Sequence, residues 1–140
     1  MSASPHPLST PAARSFLAFD FGVKRVGVAA GNSLTRRAQP LCTVEAEGDR
    51  RFLALRKLIE EWQPAELVVG VPFHPDGAAH RNTELAKRFA RQLHGRFKLR
   101  VHQVDERYST TEALASGATD VDAASAAIIL EQFLRGLGQA

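Results

Sequence analysis

The chain has 140 residues, of which 44% are hydrophobic and 24% are charged, and its formal net charge is +3. This length supports one hydrophobic core and excludes two ordinary domains, while the apolar content excludes a wholly disordered chain. The single cysteine, Cys42, excludes an internal disulfide and a cysteine-based zinc site, which favours a reducing compartment. The mild basic excess suits a polyanionic partner without requiring one.

The first fifteen residues differ in composition from the rest of the chain. They hold three of the seven prolines and no apolar run, so they match neither a signal peptide nor a membrane-spanning helix. We therefore expect a disordered tail over residues 1–15, a single domain over residues 16–140, and no association with a membrane.

The first half of the domain alternates between strand and helix patterns. Short apolar runs between turn residues predict strands over residues 16–20, 25–30 and 39–45. From Asp49 to Trp62 the apolar residues, which include Phe52, recur at steps of three and four. This spacing predicts an amphipathic helix with an Asp N-cap, Pro64 beyond its end, and Phe52 and Trp62 in the core. Residues 66–72 then form a nearly continuous apolar run, which is typical of a strand covered on both faces.

The second half continues the alternation. A helix is predicted from Asn82 or Thr83 to Gly95, with a buried stripe of leucines and phenylalanine at 85, 89 and 93, followed by a strand over residues 99–104. Capping-box patterns at residues 109–112 and, more weakly, 119–122 predict a short helix and a last helix. The order of elements predicts an α/β fold with a five-stranded mixed sheet flanked by helices.

Acidic residues stand where predicted elements end or begin. Asp20 closes the first strand, Asp105 and Glu106 follow the fifth, and Asp122 lies in the first turn of the last helix. If these side chains converge, a cation is needed to relieve their repulsion. Carboxylates without nearby His or Cys ligands suit Mg²⁺ or Mn²⁺, and two such ions can support hydrolysis of a phosphodiester. The small residues 123–127 would let the last helix approach the sheet closely.

Each acid also has a purely structural interpretation. Asp20 could be a turn residue at the end of a strand, and Asp122 could only complement the helix dipole. Asp105 and Glu106 could pair with Arg107 or face solvent. The spacing alone therefore does not establish a nuclease.

Four motifs read together are more specific than the spacing of the acids. In chain order, they are Phe19-Asp-Phe-Gly22 with Val26-Gly-Val28, Val69-Gly-Val-Pro72 with Asp76-Gly77, Asp105-Glu-Arg-Tyr-Ser-Thr110, and Asp122-Ala-Ala-Ser-Ala126. Together these motifs resemble the YqgF (RuvX) family, whose members are described as candidate Holliday junction resolvases or pre-16S ribosomal RNA nucleases. The resemblance runs from about Phe16 to Leu134.

The resemblance implies a ribonuclease H-like fold, a divalent-metal phosphodiesterase site and a cytoplasmic role in RNA maturation or DNA junction processing. Motif matching makes Asp20 the acid of the first strand and Asp122 the acid of the last helix. The middle acid falls within Asp105-Glu106, and Glu106 is favoured slightly because related resolvases place a glutamate at this strand end.

Basic residues can contact the phosphate backbone of a nucleic acid. Lys24 and Arg25 follow the first acid, Lys87 and Arg91 lie on the second predicted helix, and Arg107 adjoins the middle acids. A solvated helix face explains Lys87 and Arg91 equally well. Arg107 is the better candidate for a contact with the scissile phosphate.

These observations favour a metal-dependent nuclease that acts on precursor or structured RNA, with branched DNA as a second substrate. Junction resolution needs a homodimer, whereas RNA trimming needs only a monomer. One alternative is a fragment of an actin-like or sugar-kinase-like ATPase, because the turn at Asp20-Phe-Gly22 also suits phosphate binding. Another is a non-catalytic RNA- or ribosome-binding module.

Overall fold

A computed structural model describes residues 13–106 and 120–137 of the chain. Within these ranges the elements are β1 (Ser15–Phe21), β2 (Val26–Asn32), β3 (Ala38–Val44), α1 (Gly48–Trp62), β4 (Glu66–Pro72), α2 (Thr83–Phe97), β5 (Arg100–Glu106) and α3 (Val121–Leu137). The short helix predicted at residues 109–112 and most of the predicted tail lie outside the described residues.

The strands form one mixed sheet in the order β3-β2-β1-β4-β5, which confirms the predicted architecture. β1 pairs antiparallel with β2 and parallel with β4, and β4 pairs parallel with β5. The carboxyl ends of β1, β4 and β5 therefore meet at one edge of the sheet. β4 is buried on both faces, as its continuous apolar sequence predicts.

Helices cover both faces of the sheet. α1 and α2 pack on one face, where Phe52 and Phe89 are buried against Phe19. α3 packs on the other face, where Ile129 and Leu130 are buried against apolar side chains of β1 and β4. β1 separates the two cores, because its alternate residues face opposite sides.

Several predicted boundaries differ from the structure. β1 begins at Ser15, and Arg14 pairs with Glu66 at 3.2 Å, so the last two residues of the predicted tail belong to the folded part. β5 extends through Glu106 instead of ending at Val104. α2 continues past Gly95 because the chain does not turn left-handed until residue 98, where φ is 59°.

Two predicted core residues are wrong. Leu85 is 42% exposed, since the phase of α2 turns Ala86, Phe89 and Ala90 toward the sheet instead. Trp62 is 38% exposed, because it is the last residue of α1 and lines an open cleft beside β1 and β2.

The helix caps also differ from prediction. α1 begins at Gly48, and Asp49 lies in its first turn and does not cap it. At α3 the cap is Asp120: its Oδ1 accepts hydrogen bonds from the Ala123 N–H at 3.0 Å and from the Thr43 hydroxyl at 2.6 Å. Asp120 therefore both caps α3 and ties it to β3, a role that the predicted capping box at residues 119–122 did not identify.

At the opposite edge of the sheet, Glu66 is held by two basic groups. His102 Nε2 lies 2.6 Å from Glu66 Oε1, and Arg14 contacts the other oxygen. Burial alone would raise the pKa of Glu66, but the His102 hydrogen bond and the nearby positive charges lower it below its ordinary value of 4.5.

A carboxyl with a lowered pKa stabilises the fold above its unfolded value and loses that contribution as the pH falls through the folded value. We therefore expect Glu66→Gln to lower the melting temperature at pH 7. Melting curves across the acid range should show this difference shrinking below about pH 4.5. A difference that stayed constant down to pH 3 would contradict the assignment.

Candidate active site

The sheet edge formed by the ends of β1, β4 and β5 brings together three of the predicted acids. Asp20 lies near the end of β1 and faces α3, because Ala18, two residues earlier, packs on that side. Glu106 is the last residue of β5, and its side chain is hydrogen-bonded to that of Asp20. Asp122, in the first turn of α3, is close enough for its charge to act on Asp20.

Gly27 explains how α3 comes this close. It pairs with Asp20 across the β1–β2 ladder, directly beneath the start of α3. A Cβ atom at Gly27 would overlap the carbonyl group of Asp122 and lie 2.9 Å from the backbone nitrogen of Ala123. The Val26-Gly-Val28 motif contained this signal, but its meaning depends on a strand register that the sequence does not give.

The electrostatics of Asp20 are unusual for a surface carboxylate. Burial raises its pKa well above the ordinary value of 3.8, and the charge and hydrogen bond of Glu106 and the charge of Asp122 raise it further. A hydrogen bond between two carboxyl groups requires a proton on one of them. The site therefore favours positive charge, whether a proton or a metal ion.

The neighbours Asp105 and Glu106 are placed differently. Glu106 Oε2 lies 3.3 Å from the position that a Cβ would occupy on Gly70, the residue of β4 that pairs with Asp20. Successive residues of a strand face opposite sides of the sheet, and the side chain of Asp105 is exposed. The structure thus groups Glu106, and not Asp105, with Asp20.

The turn between β1 and β2 borders the acids. Arg25 Nε lies 3.3 Å from Asp122 Oδ2. Lys24 and Arg25 line an open cleft of about 500 Å³ together with Asp20, Asp122 and Glu45, a residue that the sequence analysis did not single out.

Lys87 and Arg91, two more of the predicted basic residues, lie away from this cleft. Lys87 lies on α2, the helix that packs on the face of the sheet away from α3, where its ammonium is 3.7 Å from Glu84 and lies over the ring of Phe73, just after β4. Neither Lys87 nor Arg91 lines the cleft. Arg107 lies outside the described residues.

Residues 13–106 and 120–137 contain no group of three or more His, Cys, Asp or Glu side chains already placed to hold a metal ion. Asp122 is instead directed to Arg25. In the same ranges, no helix has both the length and the apolar character needed to cross a membrane.

Comparison with known sequences identifies a family. Residues 14–136 match the profile described as "RuvX: Holliday junction resolvase". A protein from Polaromonas sp. strain JS666, named "Putative pre-16S rRNA nuclease", is 62% identical over 137 residues, which cover 98% of this chain and 99% of that protein. A protein of the same name from Albidiferax ferrireducens is 65% identical over 124 residues, covering 89% of this chain and 80% of that protein.

Comparison with solved structures gives the fold. The structure titled "T. thermophilus RuvC in complex with Holliday junction substrate" superposes with a TM-score of 0.58, covers 89% of this chain and 96% of that chain, and is 12% identical in sequence. A second Thermus thermophilus RuvC structure has a TM-score of 0.53 at the same identity and coverage. The predicted ribonuclease H-like fold is therefore confirmed.

Proposed function

Since the chain belongs to the RuvX family, we propose that it is a divalent-metal-dependent nuclease that hydrolyses phosphodiester bonds in the precursor of 16S ribosomal RNA. The single observation that supports this most strongly is the convergence of Asp20, Glu106 and Asp122 beside a basic turn. A cytoplasmic location follows from the same proposal, because ribosomal RNA precursors are matured there.

The residues at the sheet edge suit Mg²⁺ or Mn²⁺ in their chemistry. All the donors are carboxylate oxygens. Burial and the charges of Glu106 and Asp122 raise the pKa of Asp20, so a bound cation would stabilise its ionised form. Asp20 and Glu106 would hold an ion jointly, and Asp122 would join them once it leaves Arg25. When bound, such an ion lowers the pKa of a water molecule and offsets the negative charge of the phosphate.

The basic side chains have a complementary role in this proposal. Arg25 and Lys24 stand beside the acids in the cleft, where they can bind non-bridging phosphate oxygens of the substrate. On substrate binding, Arg25 would exchange the carboxylate of Asp122 for a phosphate of the nucleic acid. The cleft thus binds the substrate backbone on its basic side and positions the scissile bond over the carboxylates.

Separate substitutions of the neighbouring acids test which of them belongs to the site. We expect Glu106→Gln to lower kcat by more than about a hundredfold, because even outer-sphere partners of metal ligands contribute about 10–100-fold. Asp105→Asn should change kcat by only a few-fold, since its side chain faces away from Asp20. The measurement is cleavage of a precursor 16S RNA fragment with Mg²⁺ or Mn²⁺, and the reverse ranking would make Asp105 the middle acid.

The substrate is the second part of the proposal. The similar proteins are named for RNA and the family profile for a DNA junction, so both substrates should be offered to the purified protein under the same conditions. We propose precursor RNA, which needs one site and a monomer. Preferred cleavage of a four-way junction by a homodimer would replace this part of the proposal and leave the nuclease assignment intact.

A further inference from the structure

Arg51 is a buried charge whose hydrogen bonds, within residues 13–106 and 120–137, all go to backbone carbonyls. Arg51 lies in the first turn of α1 and is only 5% exposed. Its guanidinium donates three hydrogen bonds to backbone carbonyls: Nε to Ala46 at 2.8 Å, and Nη2 to Gly22 at 3.0 Å and Val23 at 2.8 Å. The ring of Phe21 lies 5.5 Å from its central carbon.

Burying an arginine costs desolvation free energy, which its hydrogen bonds must offset. An apolar side chain would avoid that cost, but it could not bind the carbonyls. The fork of donors joins the turn between β1 and β2 to the loop before α1. The pKa of Arg51 is lowered by burial and raised by the nearby charge of Glu47. The contacts that fix the guanidinium are nevertheless all to backbone carbonyls, so they determine how the peptide groups of the turn are oriented.

The orientation of those carbonyls decides where the turn presents its N–H groups. In a trans peptide the C=O and the N–H point in opposite directions. Because the carbonyls of Gly22 and Val23 face Arg51, the N–H groups of Val23 and Lys24 face away from it. Neither N–H donates to a backbone carbonyl within the described part of the chain. Two successive N–H groups on one side of a turn form a concavity that suits an anion.

The same turn carries the basic side chains of the cleft and has little freedom to change shape. Lys24 and Arg25 line the cleft next to Asp20 and Asp122. A Cβ atom at Gly22 would lie 2.6 Å from the carbonyl oxygen of Arg25, so the turn closes too tightly for any other residue.

We propose that the turn at residues 22–25 is a binding site for a backbone phosphate of the nucleic acid, and that Arg51 is the positioning residue that holds its peptide groups in the binding orientation. This inference rests on the proposed nuclease function. It adds a phosphate subsite beside the acids and a residue that acts through the turn without touching the substrate.

The test compares Arg51→Gln and Arg51→Lys with Leu55→Ala, a control that removes a fully buried side chain one turn along the same helix. We expect Arg51→Gln to raise KM for RNA about tenfold, the effect of losing one or two hydrogen bonds to a phosphate, while kcat stays within about twofold. Arg51→Lys should recover part of the affinity, because an ammonium reaches some of the carbonyls but lacks the planar fork. Leu55→Ala should lower stability without raising KM.

A second measurement does not depend on cleavage. Titration of the wild-type protein with inorganic phosphate should shift the amide resonances of Val23 and Lys24, and Arg51→Gln should weaken that response. Unchanged KM and unchanged amide responses in Arg51→Gln would overturn the inference, as would the same rise in KM in Leu55→Ala. If the wild-type protein cleaves no nucleic acid but these amides respond to phosphate through Arg51, the nuclease proposal fails and the phosphate site stands.

Discussion

Asp20→Asn is expected to abolish cleavage and at the same time to raise the melting temperature of the metal-free protein. The pKa of Asp20 is raised by burial and by Glu106 and Asp122, so its ionised form is less stable in the fold than in the unfolded chain. The fold therefore loses stability as the pH rises above the ordinary value of 3.8, and an uncharged amide avoids this loss. At pH 7 we expect a gain of roughly 2–6 °C.

The loss of cleavage and the higher melting temperature both arise from removal of the Asp20 carboxylate. Titration with metal ions distinguishes this cause from a general change in the stability of the fold. Mg²⁺ or Mn²⁺ should raise the melting temperature of the wild-type protein but not of Asp20→Asn, since only the former has the carboxylate to bind the ion. Asp49→Asn, which alters a fully exposed carboxylate on α1, serves as the control and should leave cleavage unchanged. Equal cleavage by wild type and Asp20→Asn would remove Asp20 from the site and place the metal-binding carboxylates elsewhere.

Gly27→Ala is expected to damage both stability and activity. The added methyl group would overlap the backbone of Asp122, so α3 must move away from β2. Overpacking of this kind costs about 1–3 kcal/mol, and more where the obstacle is backbone. Displacement of α3 also takes Asp122 away from Asp20, so kcat should fall by at least about tenfold even where the protein remains folded.

Gly95→Ala is the matched control for this substitution. Gly95 lies in α2 and has nothing within 4 Å of the position of its missing Cβ. Alanine there should stabilise the protein by about 0.5–1 kcal/mol through helix propensity and leave cleavage unchanged. Denaturant unfolding and cleavage assays on both variants give the comparison. If Gly27→Ala is as stable and active as Gly95→Ala, the close approach of α3 is not needed for the site.

Most of the fold could be predicted from the sequence because clear turn signals separate its elements, and because the apolar residues of its helices and strands follow different spacings. The continuous apolar run of β4 and the steps of three and four in α1 each predict one kind of element, and both are present. Leu85 was misplaced because a helix period defines a stripe only to within one residue, and the partner surface selects among the candidates. Trp62 has the right phase, but it lies at the end of α1, where the packed surface gives way to an open cleft.

The sequence predicted that the acids meet at one edge of the sheet, but it did not separate Asp105 from Glu106. A strand end predicted at Val104 leaves Asp105 and Glu106 equivalent, whereas a strand that continues through Glu106 sends them to opposite faces. Gly27 and Arg51 depend entirely on tertiary contacts, namely the register of β1 with β2 and the fold of three loop carbonyls around one side chain. The motifs that resemble the RuvX family supplied the specificity that composition and spacing lacked.

The docking of α3 through small residues has a thermodynamic consequence. Ala126 and Ala127 pack against Ala29 with little side-chain volume between the backbones, so the first half of α3 lies close to the sheet, while Ile129 and Leu130 form the larger apolar contact further along. Asp122 belongs to the helix, whereas Asp20 and Glu106 belong to the sheet. An ion that bridges them would add its binding energy to the attachment of the helix, so occupancy of the cleft and local unfolding of α3 oppose one another.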